Sequence, residues 1–467
     1  MKNINENSNG SVEFIRKERS LKQISSYSTG YGIDKFASMA FTANLIFFYE
    51  VELGFSVWFY ALAFIIFTIW NMFNDPLMGF LTDRNLRMTR KLGRHFPWII
   101  FGLTLYLIFS ILLYMPPNAS EWIIFLWLVV FLCITDTLFS LYDVNYSGLA
   151  PTMFRTETER RKHGAISTVL GTLGLLMGTI LPPILLIQGN INSYLIMAII
   201  IAVISFCFII FMIPGVHENK EIINLYFQVK AVEEQTKKEG FFKTMKIAIK
   251  QKNFAVYFLV YFLFQTAAIL LLQSLRYFAV FVMGSADYQV FLGLAMFGGV
   301  FLGIPLWTKL AKKLGFRKVF IVGSVAMGCL MIPMLFVTEL IAVIITMIGL
   351  GIGVSAFWVM LTPIFSDTMD EVALNTGERK EGIYFGIRSF FARLVLIVAT
   401  ITFAVVHTLT AFNDAPYSAQ AVWGIRIHTA FIGMIAAFIA AFLLWKFYDL
   451  TPEKMSIIKA KLEEREL

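Results

Sequence analysis

The chain has 467 residues, of which 58% are hydrophobic and only 15% charged, with 39 Lys and Arg against 31 Asp and Glu for a net charge of +8. That is far more apolar than the roughly 45–50% typical of soluble domains, so a water-soluble globule is excluded. The basic balance does not point to nucleic acid either, because no RNA- or DNA-binding motif accompanies it.

Residues 1 to 20 are polar and charged, with no apolar stretch behind a basic tip, and read as a cytoplasmic tail rather than a cleaved signal. Twelve apolar runs follow, at 29–50, 56–81, 97–115, 122–147, 164–187, 193–213, 253–283, 290–310, 318–337, 340–366, 382–408 and 422–447. A helix of about 20 such residues crosses a hydrocarbon core about 30 Å thick. The runs are continuously apolar rather than alternating, which excludes a barrel. The expected fold is an all-α membrane protein with twelve transmembrane helices.

Helix one carries the adjacent charges Asp34 and Lys35. In helix two, Asn71 and Asp75 are four apart and Asn74 is adjacent, so several oxygens converge on one side, as hard cations require. Helix four offers a second polar stripe of Asp136, Ser140 and Asp143, and helix eleven offers Arg388 and Arg393. Charges inside a membrane cost roughly 2.5–3.5 kcal/mol each even on the lenient insertion scale, so they need partners, a watery cavity or neutralisation. Tyr142 is expected to pack. Gly174/Gly178, Gly299/Gly303 and Gly349/Gly353 place small residues four apart for close helix contact. Cys133, Cys207 and Cys329 lie within apolar runs without CxxC spacing, so neither a disulfide framework nor a zinc site is expected.

About forty residues rich in Lys and Glu separate the sixth and seventh runs. The chain therefore divides into a tail (1–25), a first six-helix half (26–215), a central cytoplasmic loop (216–252), a second half (253–448) and a second tail (449–467). Lys and Arg gather in alternate loops: Arg84, Arg87, Arg90, Lys91 and Arg94; Arg155, Arg160, Arg161 and Lys162; Lys312, Lys313, Arg317 and Lys318. The loops at 51–56, 115–121, 188–193, 284–289 and 408–421 contain none, which puts the basic loops and both termini in the cytoplasm of a cell membrane. No HExxH, GxSxG or phosphate-binding glycine loop is present, and the five histidines are scattered, so an enzyme is not expected.

The loop after helix two, Gly79-Phe80-Leu81-Thr82-Asp83-Arg84 with Gly93-Arg94, is echoed after helix eight by Leu306-Trp307-Thr308-Lys309 with Gly315-Phe316-Arg317-Lys318. Two such halves with a substrate site between them describe the major facilitator architecture, and this loop resembles that superfamily's cytoplasmic motif, with Gly79, Asp83, Arg84 and Arg94 as gating residues. More specifically, 69-IWNMFNDPLMG-79 with 93-GRHFPW-98, Tyr31-Gly32, Ala150-Pro151-Thr152, Arg276-Tyr277-Phe278, Phe357-Trp358 and Asp367 resemble the glycoside-pentoside-hexuronide:cation symporters, such as melibiose carriers. The resemblance implies cation-coupled symport of a sugar or glycoside by alternating access, with sodium or protons as coupling ion and no cofactor. It implies a cation site at Asn71, Asn74, Asp75 and Ser140, with no metal beyond a sodium ion at Asp75, and a substrate site including Asp34, Lys35, Asp143, Trp358 and Arg393. Asn71 stands where the family has its first helix-two acid, Ser147 where it has an aromatic residue, and Gly164 where it has an arginine. Lysophospholipid carriers share the frame and supply the alternative, and an uncoupled carrier or sensor is a further one. The expected partners are a small solute and the bilayer, and the expected state a monomer.

Overall fold

The computed structural model of the chain describes residues 19–82, 92–218, 245, 249–377 and 381–464. Twelve long helices dominate. The first half contains α1 (Leu21–Thr42, continued by Leu45–Phe47 and a π-helical turn Phe48–Glu52), α2 (Val57–Thr82), α3 (Phe96–Leu112), α4 (Glu121–Met153), α5 (Glu157–Leu185) and α6 (Ile191–Val216). The second contains α7 (Lys252–Tyr277 with a π-turn Phe278–Val282), α8 (Tyr288–Leu314), α9 (Phe316–Met334), α10 (Leu340–Thr376), α11 (Glu381–Leu409) and α12 (Ala419–Lys446, with a π-turn Ile427–Phe431). A thirteenth helix, α13 (Pro452–Glu464), packs on α10.

Ten of the helices are long and apolar enough to span a bilayer, and α3 is a shorter apolar helix. In lipid every backbone polar group must be satisfied within its own segment, which is why such runs become helices. Several extend past the apolar runs: α4 continues to Met153, α10 to Thr376, and α5 starts at Glu157. Hydropathy marks the hydrocarbon, whereas the helix ends where its caps are. Thr156 opens α5 with a capping box completed by Glu159, and Glu159 also accepts the Arg19 backbone N–H at 2.8 Å, tying the starts of α1 and α5 together.

The packing repeats with an offset of six helices. In the first half α1 packs on α5 and α6, α2 on α4, and α3 on α4 and α6; in the second, α7 packs on α11 and α12, α8 on α10, and α9 on α10 and α12. Between the halves α2 meets α11 and α5 meets α8, contacts that exchange with one another under the same offset. Glycines permit the closest crossings. A Cβ on Gly174 would lie 2.3 Å from the Gly32 carbonyl oxygen, and one on Gly299 2.0 Å from that of Ile348, so α1/α5 and α8/α10 meet backbone to backbone. The loop echo is also structural: Gly93 (φ 103°) precedes α3 and Gly315 (φ 80°) precedes α9, both in a region that disfavours a side chain.

Candidate functional site

The polar residues of α2 and α4 meet near mid-bundle and join a cation from α11. Asn71 Nδ2 donates to Asp136 Oδ1, while Asn74 Nδ2 donates to Asp136 Oδ2 at 2.9 Å and to Ser140 Oγ at 3.0 Å. Ser140 Oγ donates in turn to Asp75 Oδ1 at 2.5 Å, and Asp75 Oδ2 forms an ion pair with the Arg393 guanidinium. The chain Asn71–Asp136–Asn74–Ser140–Asp75–Arg393 thus crosses from one half to the other. Helical spacing explains it: Asn71, Asn74 and Asp75 share a face of α2, and Asp136 and Ser140 lie one turn apart on the facing side of α4.

Within this group Asp136 differs from Asp75. Asp75 has Arg393, whereas Asp136 is 7% exposed and, among the described residues, has two amide donors but no cation at ion-pair distance. Asn74 Oδ1 is buried without a hydrogen-bond partner. A buried carboxylate and a buried amide oxygen are both short of positive charge, and rotating the Asn74 amide, which now turns its nitrogen to Asp136 and Ser140, would set its oxygen beside theirs as the ligands a hard cation takes. The four residues expected to bind the cation are brought together. Arg393, expected with the substrate, instead pairs with Asp75 in this conformation, which links the two expected sites.

A second group lies between α1 and α4. Lys35 Nζ is 2.8 Å from Asp34 Oδ2 and 5.1 Å from the centre of the Tyr31 ring, with its side chain 38% exposed. Asp34 is buried, and Asp143 lies within Coulombic reach of Asp34, Lys35 and Asp75. Ser147 Oγ donates to Asp143 Oδ1 at 3.5 Å. These charges form one electrostatic unit beside the α2/α4 cluster. Trp358 is not drawn into it: half-buried on α10, it packs against the apolar core without a hydrogen bond or ring contact among the described residues. Tyr142 packs as expected, donating to the Gly30 carbonyl at 2.9 Å and stacking on Tyr146. Arg388 lies over the rings of Phe365 and Phe385.

Of the gating residues, Gly79 sits in α2 with only Val144 near its missing Cβ, and Arg94 lies just before α3. Asp83 and Arg84 lie outside the described residues. The α3 N-terminus beside Arg94 is held by Glu218, which accepts from the backbone N–H groups of His95 at 2.7 Å and Phe96 at 3.0 Å.

Among the described residues, the hydrogen bonds that join the halves gather at the end of the bundle whose loops lack Lys and Arg. There His407 Nδ1 meets Glu50 Oε1 at 2.7 Å, Tyr277 donates to Glu50 Oε2 at 2.6 Å, Gln289 donates to Asn44 at 3.0 Å and Trp58 donates to Thr408 at 2.9 Å. Beyond Asp75–Arg393 toward the basic loops, no hydrogen bond or ion pair joins the halves between described residues. The conformation is therefore closed at the cation-free end. Glu50, His407 and His428 were not singled out from the sequence, where the histidines look scattered. The available signal was that His407 and Glu50 close the polar ends of two apolar runs.

A sequence profile of the family described as MFS/sugar transport protein matches residues 27–452. The sodium-dependent lysophosphatidylcholine symporter 1 of Gallus gallus is 23% identical, covering 85% of this chain and 80% of that protein. The isoprimeverose transporter of Lactiplantibacillus pentosus is also 23% identical, covering 89% and 87%. Among solved structures, the nucleoside transporter NupG superposes with a TM-score of 0.58 at 14% identity, over 92% of this chain and all of that one. A D-xylose-proton symporter superposes at 0.60 and 12% identity, over 92% and 97%.

Proposed function

The chain belongs to the MFS/sugar transport protein family, and from that premise we propose that it carries a sugar or glycoside across a cell membrane by cation-coupled symport with alternating access. It is a multi-pass membrane transporter of the major facilitator fold. The observation that carries the coupling is Asp136: a buried carboxylate held by two amide N–H donors, without a cation at ion-pair distance among the described residues. Leaving such a charge unneutralised costs several kcal/mol, which sodium or a proton relieves. Asn71 replaces the acid that the resemblance expects on α2, and its amide rests on Asp136, so the second carboxylate comes from α4 instead.

Asp75 then links ion to solute. A cation held by Asp136, Asn74 and Ser140 attracts Asp75 as well and weakens its pairing with Arg393. The freed guanidinium turns to the solute, and the contact between α2 and α11 loosens. Asp34, Lys35 and Asp143 supply hydrogen-bonding groups for hydroxyls, with the bilayer as the carrier's second partner. The basic loops and both termini are placed in the cytoplasm, so the closed end is the outer one.

A second reading, a lysophospholipid, is favoured by one observation: Asp34 is tied by Lys35 and buried, leaving the partly exposed Lys35 side chain and the Tyr31 ring as the accessible face. The two are separated by thermal stability of the purified protein with sugars or lysophospholipids, each with sodium or pH varied, because a ligand of the folded state raises its melting temperature. A sugar shift enhanced by the cation supports the first reading, and a shift with lysophospholipid alone supports the second.

A further inference from the structure

Away from the candidate site, the closed end contains a buried titratable chain that the transport cycle described above does not use. Glu50, 4% exposed, stands in the π-turn of α1; His428, 0% exposed, stands in the π-turn of α12; and Tyr277 immediately precedes the π-turn of α7. Single π-turns re-aim side chains and recur at functional sites. His407, 1% exposed, lies between them near the end of α11. Its Nδ1 meets Glu50 Oε1 at 2.7 Å and its Nε2 meets His428 Nε2 at 3.1 Å, while His428 Nδ1 meets Ser274 Oγ at 2.6 Å. Ser274 Oγ also lies 2.5 Å from the Leu270 carbonyl oxygen. Glu50 belongs to the first half and every other member to the second.

Proton counting along this chain gives two complete hydrogen-bond patterns. When Ser274 donates to Leu270, His428 Nδ1 donates to Ser274, His407 Nε2 donates to His428, and the Glu50–His407 contact holds one further proton. When Ser274 donates to His428 Nδ1, its bond to Leu270 is given up and the other bonds reverse: His428 Nε2 donates to His407, His407 Nδ1 donates to Glu50, and Glu50 is a bare carboxylate. From Ser274 to Glu50 both patterns bond the same pairs of side chains, and they differ by one proton. The loaded pattern has no net charge, and the empty one leaves a buried anion, the costlier state.

We propose that Glu50, His407 and His428 form a proton-binding site that latches the two halves together at the cation-free end, so that one proton taken from water on that side favours closure. Opening separates Glu50 from the imidazoles and returns each to water, where no partner holds the shared proton. The surrounding groups are phenols, guanidiniums and one further carboxylate. Tyr277 from α7, Tyr60 from α2 and Tyr194 from α6 are phenols. Arg276 lies over Phe47 and Tyr194 and bonds Gln289, Arg426 bonds the Met334 carbonyl, and Glu52 accepts from Tyr194.

The inference rests on the reading that the halves rock apart, and the test separates the two. Spin labels at Gln188→Cys and Asn413→Cys, exposed loop positions in opposite halves, report separation at this end by pulsed distance measurement in the full chain, with Cys133, Cys207 and Cys329 changed to Ala. Closure by one proton predicts a closed-to-open ratio rising by up to about tenfold per pH unit of acidification between pH 8 and 5. Glu50→Gln, whose amide donates to His407 and accepts from Tyr277, should remain closed across the range. Tyr277→Phe, which removes a donor to the carboxylate, should keep the response and move its midpoint upward. A ratio indifferent to pH in the parent, or an unchanged pH response in Glu50→Gln, would overturn the latch. Labels that move with solute but not pH would remove the latch alone, and labels that move with pH but with no solute would remove the carrier reading alone.

Discussion

Replacing Asp136 by Asn isolates the carboxylate that the cation reading requires. The side chain is 7% exposed and accepts from Asn71 and Asn74 on its two oxygens, so the substitution weakens one charge-assisted bond and loses the other, each worth about 1.5–3 kcal/mol, because the new amide NH2 faces a donor. It also removes an unneutralised buried charge costing several kcal/mol. The two effects oppose, so the melting temperature without cation should change little. The cation response should not survive: at a concentration 100 times its dissociation constant an ion stabilises the parent by about 2.7 kcal/mol, a shift of a few degrees, against none in the variant. The assay is a melting curve in detergent with sodium and pH varied separately, with Asp143→Asn as comparison. A full cation-induced shift in Asp136→Asn, lost instead in Asp143→Asn, would refute the reasoning and move the ion to the α1/α4 group.

The Asp75–Arg393 pair should behave as a coupled unit: in a double-mutant cycle of Asp75→Asn and Arg393→Gln, the double variant should be more stable than the summed single losses by roughly 1–3 kcal/mol, whereas additivity within about 0.5 kcal/mol would deny the pairing. Gly299→Ala, with its Cβ 2.0 Å from the Ile348 carbonyl oxygen, should cost about 1–3 kcal/mol in thermal stability. Gly164→Ala in α5, where nothing lies within 4 Å, should be neutral or stabilising by up to about 1 kcal/mol, and the reverse order of the two would contradict the backbone contacts described. At the start of α13, Lys454 bonds Asp449 at 2.7 Å and Glu371 of α10 at 2.9 Å, a linkage that should ignore pH from neutrality upward. Burial pushes Asp449 up, but the hydrogen bonds from Lys454 and Asn253 outweigh it and hold the carboxyl below its usual value, so its contribution is lost only as pH falls beneath the ordinary carboxylate range. Burial lowers Lys454, but its bonds to Asp449 and Glu371 outweigh this and raise it, so its contribution is lost only as pH climbs above the ordinary lysine range. Limited proteolysis of the tail should therefore be constant between pH 7 and 9 after correction for protease activity, and a transition near pH 8 would contradict this.

The twelve helices were legible because a continuous apolar run has one stable form in lipid. The helix ends were not, because Thr156, Glu159 and the last turn of α10 lie beyond the hydrocarbon, where hydropathy is silent. The α2/α4 cluster was half legible: spacing aligned Asn71 with Asp75 and Asp136 with Ser140, but no periodicity within one helix says which face of another it meets. For that reason the partnership of Asn71 with Asp136 and of Asp75 with Arg393, more than 300 positions apart, appears only in three dimensions. Glu50, His407 and His428 were hidden more fully, since two π-turns set the direction of Glu50 and His428 and π-turns have no hydropathy signature. Trp358 shows the opposite: an aromatic residue in a resembling motif that packs against the core.

The central claim is coupled transport, and its most direct measurement is uptake of labelled glycosides into proteoliposomes under an imposed sodium or proton gradient. The account predicts accumulation above equilibrium, abolished by the matching ionophore and by Asp136→Asn. Solute that only equilibrates, with the same rate in Asp136→Asn as in the parent, would contradict it.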